Sequence, residues 1–242
     1  MDDPVEIYVL NQRVRLRQPP DGFRTSLDSV MLAAACPARA GDRVLDMGCG
    51  VGGAGFCLLS RVPGIKMVGV DIQADHIDLA RQNILLNKAE NTADFWASDI
   101  RDFQTDIKFN HVICNPPYLE SGTHTPSPDI KRAIAHGHLT DMDVADWIDA
   151  GFHHVTSGGS LTMIHRADHI DKIIRALGKR FGALEIIPLW PYAGQAAKRV
   201  IIRAMKNRRT PATLHAGIIL HDIGGGYTDI TNSILRDMSP IP

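Results

Sequence analysis

The apolar run His111-Val112-Ile113-Cys114 ends in Asn115, Pro116, Pro117 and Tyr118. Two consecutive prolines stop a helix and remove two backbone donors. What is left at this corner is an amide on Asn115, the Pro116 carbonyl held in a fixed direction, and the flat face of Tyr118. Two acceptors around one spot suit an exocyclic NH2, and the ring suits the planar group that carries it. Such an amine is a poor nucleophile because its lone pair is delocalised. Hydrogen bonds from both of its N–H groups to Asn115 and Pro116 favour a pyramidal nitrogen whose lone pair points at a methyl donor. The methylated cation loses its proton easily, so no strong base is needed and catalysis is mostly in-line positioning. A base taken from a stack would find in Tyr118 a replacement for the stacking it loses. As an isolated tetrapeptide, the same four residues would read as a proline-rich turn with a surface tyrosine.

Upstream, VLDMGCGVGG places Asp46, Gly48, Gly50 and Gly52 at a strand-to-helix turn. Glycines there let a ligand approach the backbone, and the helix start offers amide donors. Gly48, Gly50 and Gly53 also satisfy the dinucleotide fingerprint G-x-G-x-x-G, so the loop alone does not choose a cofactor. Asp71, at the end of VGVD, suits a ribose diol in either case. Asp46 would repel a pyrophosphate but suits the ammonium or sulfonium end of S-adenosylmethionine. Asp99, in WASDIRDF, can accept from an adenine amine. One such acid reads as a helix or turn cap. Three acids at the ends of three successive strands read as a ligand crevice, because open α/β sheets bind there.

The elements that must carry these residues alternate. RVLDMG, KMVGVDI, ADFWASDI, HVICNPP and GSLTMIH have strand character. GAGFCLLSRV, ADHIDLARQNILLN, VADWIDAGFHHV and DHIDKIIRALGKRF have helical character. This alternation predicts a Rossmann-like α/β fold, a mostly parallel seven-stranded sheet with helices on both faces. LEIIPL and KRVIIRAM follow with no helix between them, which predicts an antiparallel edge strand. Before the glycine loop, residues 5–18 read as a hairpin and TSLDSVMLAAAC as a helix capped by Thr25 or Ser26. The expected organisation is an N-terminal hairpin plus helix over 1–40, packed on a catalytic domain over 41–242. The polar, proline-containing stretch 119–140, with His136 and His138, reads as a binding loop or lid.

The chain has 242 residues, 44% hydrophobic and 22% charged, with a net charge of -1. These values fit one soluble domain and argue against blanket electrostatic binding, so a nucleic-acid partner would need local basic patches. The four cysteines lack paired metal spacing, the N-terminus lacks an apolar signal core, and no apolar stretch is as long as a membrane span. A reduced, cytoplasmic location is expected, with no membrane association. His165 and His169 are four apart, but no acid or cysteine completes a zinc pattern, so no metal is expected. Trp96, Trp147 and Trp190 read as core residues.

The motifs DMGCGVG, GVD, SDI and NPPY, in that order, resemble class I S-adenosylmethionine-dependent methyltransferases of the N-P-P-Y type. Within them the chain is most similar to the bacterial tRNA1(Val) adenine-N(6) methyltransferase group. RVRLRQPPDGFRTSLDSVMLAA, PSPD and IHRADHI extend that similarity over the whole chain. The resemblance implies S-adenosylmethionine as cofactor, bound by Asp46, Gly48, Gly50, Asp71, Ile72, Asp99, Ile100 and Asn115, with Asp28 bordering its methionine end. It also implies that Asn115, Pro116 and Tyr118 hold an adenine. Where better-known members read T-D-[SGA]-[VL]-L, this chain reads S-L-D-S-V-M-L with the spacing kept.

N-P-P-Y also serves enzymes that methylate the guanine amine of rRNA or a protein glutamine. The glutamine enzymes usually carry a longer N-terminal helical domain, the rRNA enzymes a duplicated domain, and DNA adenine enzymes a target-recognition domain. A bare catalytic domain suits a folded RNA, a tRNA above all, that presents one base. The basic stretch KRVIIRAMKNRR, with Lys198, Arg199 and Arg203, and RVRLR, with Arg13 and Arg15, are candidate phosphate contacts or simply charged strand edges. Two readings of other classes stay open. A nicotinamide-dependent oxidoreductase leaves Asp46, Asp99 and N-P-P-Y without work, and a silent RNA-binding protein has little use for Asn115 and Tyr118 together.

Overall fold

The computed structural model describes residues 3–21, 25–117 and 142–241. Tyr118, and the stretch 119–140 with His136 and His138, lie outside the described residues. The central sheet begins with β3 (Arg43–Met47), β4 (Lys66–Asp71) and β5 (Ala93–Ala97) running parallel. On the other side of β3 lie β6 (Phe109–Cys114) and β7 (Val155–Arg166), also parallel. The strand order therefore reverses between β3 and β6, and the crevice at such a switch point, beyond the carboxyl ends of the strands, is where open α/β sheets bind ligands.

Beyond β7 come β9 (Arg199–Lys206) and β8 (Phe181–Trp190). The antiparallel strand expected at this end of the sheet is β9. It inserts between β7 and β8 and runs antiparallel to both, so β8 lies outside it. Two further strands, β10 (Thr213–Leu214) and β11 (Ile218–Ile219), pair with β8 and raise the total to nine where seven were expected. They satisfy backbone groups that β8 would otherwise leave open. At two residues each they are too short to show an alternation in sequence.

Alternation along the strands divides the core. On β3, Val44 packs on one side and Leu45 and Met47 on the other. The first side is covered by α1 (Leu27–Ala35), α2 (Gly53–Arg61), α3 (Ala74–Leu86) and α6 (Asp229–Asp237), the second by α4 (Val144–His154) and α5 (Ile170–Leu177). The helix expected over residues 168–181 is shorter because Gly178, at φ +54°, ends α5 and Phe181 opens β8. Trp147 is buried, as expected. Trp96 is not: it is 51% exposed on edge strand β5, where every second side chain faces solvent and its indole donates to Asp94 Oδ2. Trp190 is partly exposed and donates to the Ala216 carbonyl.

The hairpin β1 (Val5–Val9) and β2 (Val14–Gln18) is a separate two-stranded sheet. It is tied to α3 by two side-chain amides. Asn83 accepts from Arg17 N (2.7 Å) and donates to Arg17 O, and Asn87 does the same at Arg15. Residues four apart on a helix are about 6 Å apart, close to the roughly 6.8 Å between alternate residues of a strand. Two asparagines at i and i+4 can therefore act as a partner strand. Asn83 is fully buried and also donates to Val51 O, which ties the hairpin to the glycine loop.

Candidate functional site

A cavity opens at the carboxyl ends of β3, β4 and β6, and its walls include Asp46, Gly48, Gly50, Asp71, Ile72, Asp99, Ile100 and Asn115. Each strand ends where its sequence turns from β-branched or apolar residues to an acid or an amide followed by turn-forming residues. Gly48, Gly50 and Gly52 have φ of +69°, +54° and +88°, the left-handed region that glycine occupies without strain. Gly48 is required twice over, since a Cβ there would lie 2.8 Å from the Trp147 ring. That ring is placed by the start of α4, where Asp143 and Asp146 form a reciprocal capping box.

Asp46 is 2% exposed and accepts from Gly55 N at the start of α2 (3.2 Å). Burial pushes its carboxyl up to about 8; the Gly55 amide opposes this and the charge of Asp71 adds to it. A buried carboxyl of this kind favours a cationic partner, because a nearby positive charge repays its desolvation. Asp71 is tied to the loop it must support. Its Oδ2 accepts from Gly50 N (2.7 Å) and its Oδ1 from Gln73 N (2.9 Å), and a carboxylate has lone pairs left for hydroxyl donors. Asp99 accepts from Arg101 N (2.9 Å) and pairs with the Arg101 guanidinium (2.7 Å), which holds its carboxyl below the usual range. It thus caps its own turn while it lines the cavity.

Asn115 and Pro117 line the same cavity, and Pro116, between them, is buried. Asp28 stands differently. It pairs with Arg199 at 3.0 Å, while its neighbours Thr25 and Ser29 face the cavity. Thr25 N donates to the buried Gln18 side chain, and Thr25 Oγ1 packs so closely on Gly53 that a Cβ there would lie 2.6 Å away. Thr25, Ser29, His76, Ser98, Met142 and Trp147 were not singled out as site residues. Thr25 and Ser29 are one turn apart, a spacing visible in sequence, and Ser98 directly precedes Asp99, but His76, Met142 and Trp147 reach the cavity through tertiary packing. Cys49 also lines it, with burial holding its thiol well above the ordinary range, so it is no nucleophile.

The basic residues expected to meet phosphate divide. Lys198 is exposed at the rim. Arg13 donates to the carbonyls of Leu10 and Arg236. Arg15 is held bidentately by Glu6 (2.6 and 2.8 Å). Arg203 is largely buried, paired with Glu185 and donating to Ala35 O, so it braces the sheet where a phosphate contact was expected. Arg199 is engaged by Asp28. Among the described residues no group of His, Cys, Asp and Glu could hold a metal ion, and no helix is long and apolar enough to cross a membrane.

Comparison with known proteins places this geometry in a family. A tRNA1(Val) (adenine(37)-N6)-methyltransferase of Shewanella baltica is 27% identical over 222 residues, covering 89% of this chain and 92% of its own. The ribosomal RNA small subunit methyltransferase C of Aeromonas hydrophila is 40% identical over 94 residues, 38% of this chain and 26% of its own. The crystal structure of a predicted O-methyltransferase from Agrobacterium tumefaciens superposes with a TM-score of 0.72 at 25% identity, covering 89% of this chain and 98% of its own. The family model of the Methyltransferase small domain matches residues 24–188, from the start of α1 through most of β8. The chain belongs to the Methyltransferase small domain family.

Proposed function

We propose that this protein transfers the methyl group of S-adenosylmethionine to the exocyclic amine of an adenine in RNA, with a tRNA as the substrate. The observation that carries this reading is one cavity lined by acids from three successive strand ends together with Asn115 and Pro117 of the N-P-P corner. The cofactor fits the donor set. Asp46 is a buried carboxyl suited to a cation, Asp71 already organises the glycine loop and has lone pairs for a ribose diol, and Asp99 with Ile100 borders the place for an adenine. A nicotinamide dinucleotide would bring a pyrophosphate against Asp46, which disfavours it.

Bound there, S-adenosylmethionine supplies a methyl group activated by its sulfonium charge. Asn115 accepts from and orients the target amine, Pro116 offers its carbonyl, and Tyr118 stacks on the base. Trp147 and Met142 give the cavity an apolar wall. The domain division at residue 40 follows the same reading, with the hairpin and α1 as an N-terminal layer that supports the cavity through Gln18 and Thr25.

A tRNA target is favoured over a ribosomal RNA one by the relative that matches nearly the whole chain, whereas the ribosomal RNA relative matches only 94 residues. The test is methyl transfer from tritiated S-adenosylmethionine to an unmodified valine tRNA transcript, followed by nucleoside analysis. Label in N(6)-methyladenosine is the expected outcome. Label only in ribosomal RNA guanine or in protein glutamine would reassign the substrate, and no transfer to any of the three would reject the reading.

A further inference from the structure

The hairpin turn closes in an unusual way. Leu10, Asn11 and Gln12 have φ of +50°, +51° and +67° in succession, without a glycine among them. Tight hairpin turns that need positive φ normally recruit Asn-Gly or Gly, and bulkier residues held there are strained and occur mostly at functional sites. Leu10 is anchored in the core, whereas Asn11 and Gln12 are exposed. Both line a groove between the hairpin, the start of α1 and α6, with a volume of about 540 Å³.

Its chemistry is specific. Tyr8 and Tyr227 line it and are 54% and 39% exposed. Arg236 is the only charged residue among the described residues that line it. Tyr227 is backed by a column of rings: it stacks on His221 (4.9 Å, 21°), which packs against Tyr192 (5.4 Å, 34°). His221 follows β11, which pairs with Leu189 and Trp190 at the carboxyl end of β8, so the column stands on the same rim of the sheet as the candidate cavity. Exposed Lys198, just before β9, lies on that rim too. The groove and the cavity share Thr25 as a lining residue and therefore adjoin each other.

We infer that this groove is a second binding site, for an unpaired nucleobase next to the methylated one in the RNA substrate. Tyr227 and Tyr8 give faces for stacking, Asn11 and Gln12 give paired donors and acceptors for a base edge, and Arg236 and Lys198 meet the backbone phosphates. The left-handed turn sets the two amides at the groove, and the ring column fixes Tyr227. The inference rests on the reading of the chain as an RNA methyltransferase, and gives that reading a means of selecting the sequence around the target.

The test uses the full chain, a fluorescent single-stranded RNA oligonucleotide of mixed sequence, and an unmodified valine tRNA transcript. Tyr227→Ala should weaken oligonucleotide binding and raise KM for the transcript by roughly tenfold, the effect of losing one base–aromatic stack, with the affinity for S-adenosylmethionine unchanged. Tyr227→Phe should restore both values. Asn11→Gly should raise the melting temperature by releasing the strained turn and still weaken RNA binding, a combination that a merely structural turn would not give. Wild-type RNA affinity and KM in Tyr227→Ala and Asn11→Gly, in an enzyme that labels tRNA, would overturn the groove alone. Tyr227-dependent binding of the oligonucleotide without methylation of any RNA would support the groove and overturn the proposed activity. A protein that neither binds nor methylates RNA would overturn both.

Discussion

Replacing Asp46 by asparagine separates what stabilises this protein from what lets it bind a cation. The Asp46 carboxyl titrates at about 8 in the folded chain, against roughly 3.9 when unfolded. Between those values the folded state holds a proton that the unfolded state has released, so stability falls as pH rises, by about 1.4 kcal/mol per unit, and levels off above pH 8. The cumulative cost at pH 8 is on the order of 5 kcal/mol, of which about 3 kcal/mol develops between pH 5.5 and 8. An asparagine keeps an oxygen for the Gly55 amide at nearly the same volume but has no charge to desolvate.

Asp46→Asn should therefore match the wild type only below about pH 4 and melt progressively higher as pH rises. At 2–4 °C per kcal/mol for a chain of this size, the gain between pH 5.5 and 8 is roughly 10 °C. Thermal melts of both proteins without ligand, at pH 5.5, 6.5 and 8, give the difference directly, since every other titrating group is common to the two. The variant should also lose most of its affinity for S-adenosylmethionine. Melting curves that stay parallel across this range would refute the argument, because Asp46 would then titrate as an ordinary carboxylate.

The acid limb belongs to the histidines. Burial holds His154 and His165 down to about 4, while unfolded imidazoles take protons near 6.5. Their contribution is present above about pH 6.5 and lost as pH falls toward 4. His154→Phe should flatten that limb, and an unchanged acid profile would contradict the assignment. Asp71→Ala removes the acceptor for Gly50 N and Gln73 N as well as the proposed ribose partner. Calorimetry should show S-adenosylmethionine binding weakened at least tenfold, and unchanged affinity would reject the assignment. Asn83→Ala strands the Arg17 and Val51 carbonyls and the Arg17 amide, at about 1–3 kcal/mol for a buried group left unsatisfied. The melting temperature should drop by several degrees with early proteolysis in the hairpin, and a wild-type melt would show that the amide bridge is dispensable.

The alternation of strands and helices was legible because β3, β4 and β6 are short, largely apolar runs ended by glycine, acid or proline. The acids converge because their strands are neighbours at one rim, which alternation implies. The outer sheet was not legible: β10 and β11 have two residues each, and α6 shows as little more than Thr228 capping a turn over Thr231. Charge misled at Arg203, which looked like a free cation because its partner, Glu185, lies on another strand. Asp28, which the family resemblance sets beside the methionine end of the cofactor, pairs with Arg199, 171 residues away, a contact that no local pattern shows. Trp96 was assigned to the core from its size, although β5 ends the sheet and leaves one of its faces to water.

The central claim is that one cavity holds the methyl donor while Asn115 presents the amine. Single-turnover methyl transfer to the valine tRNA transcript by Asn115→Ala, beside its equilibrium affinity for S-adenosylmethionine, tests it most directly. The affinity should stay within a few-fold of wild type and the transfer rate should fall at least a hundredfold. Transfer at the wild-type rate, with the cofactor bound as before, would contradict it.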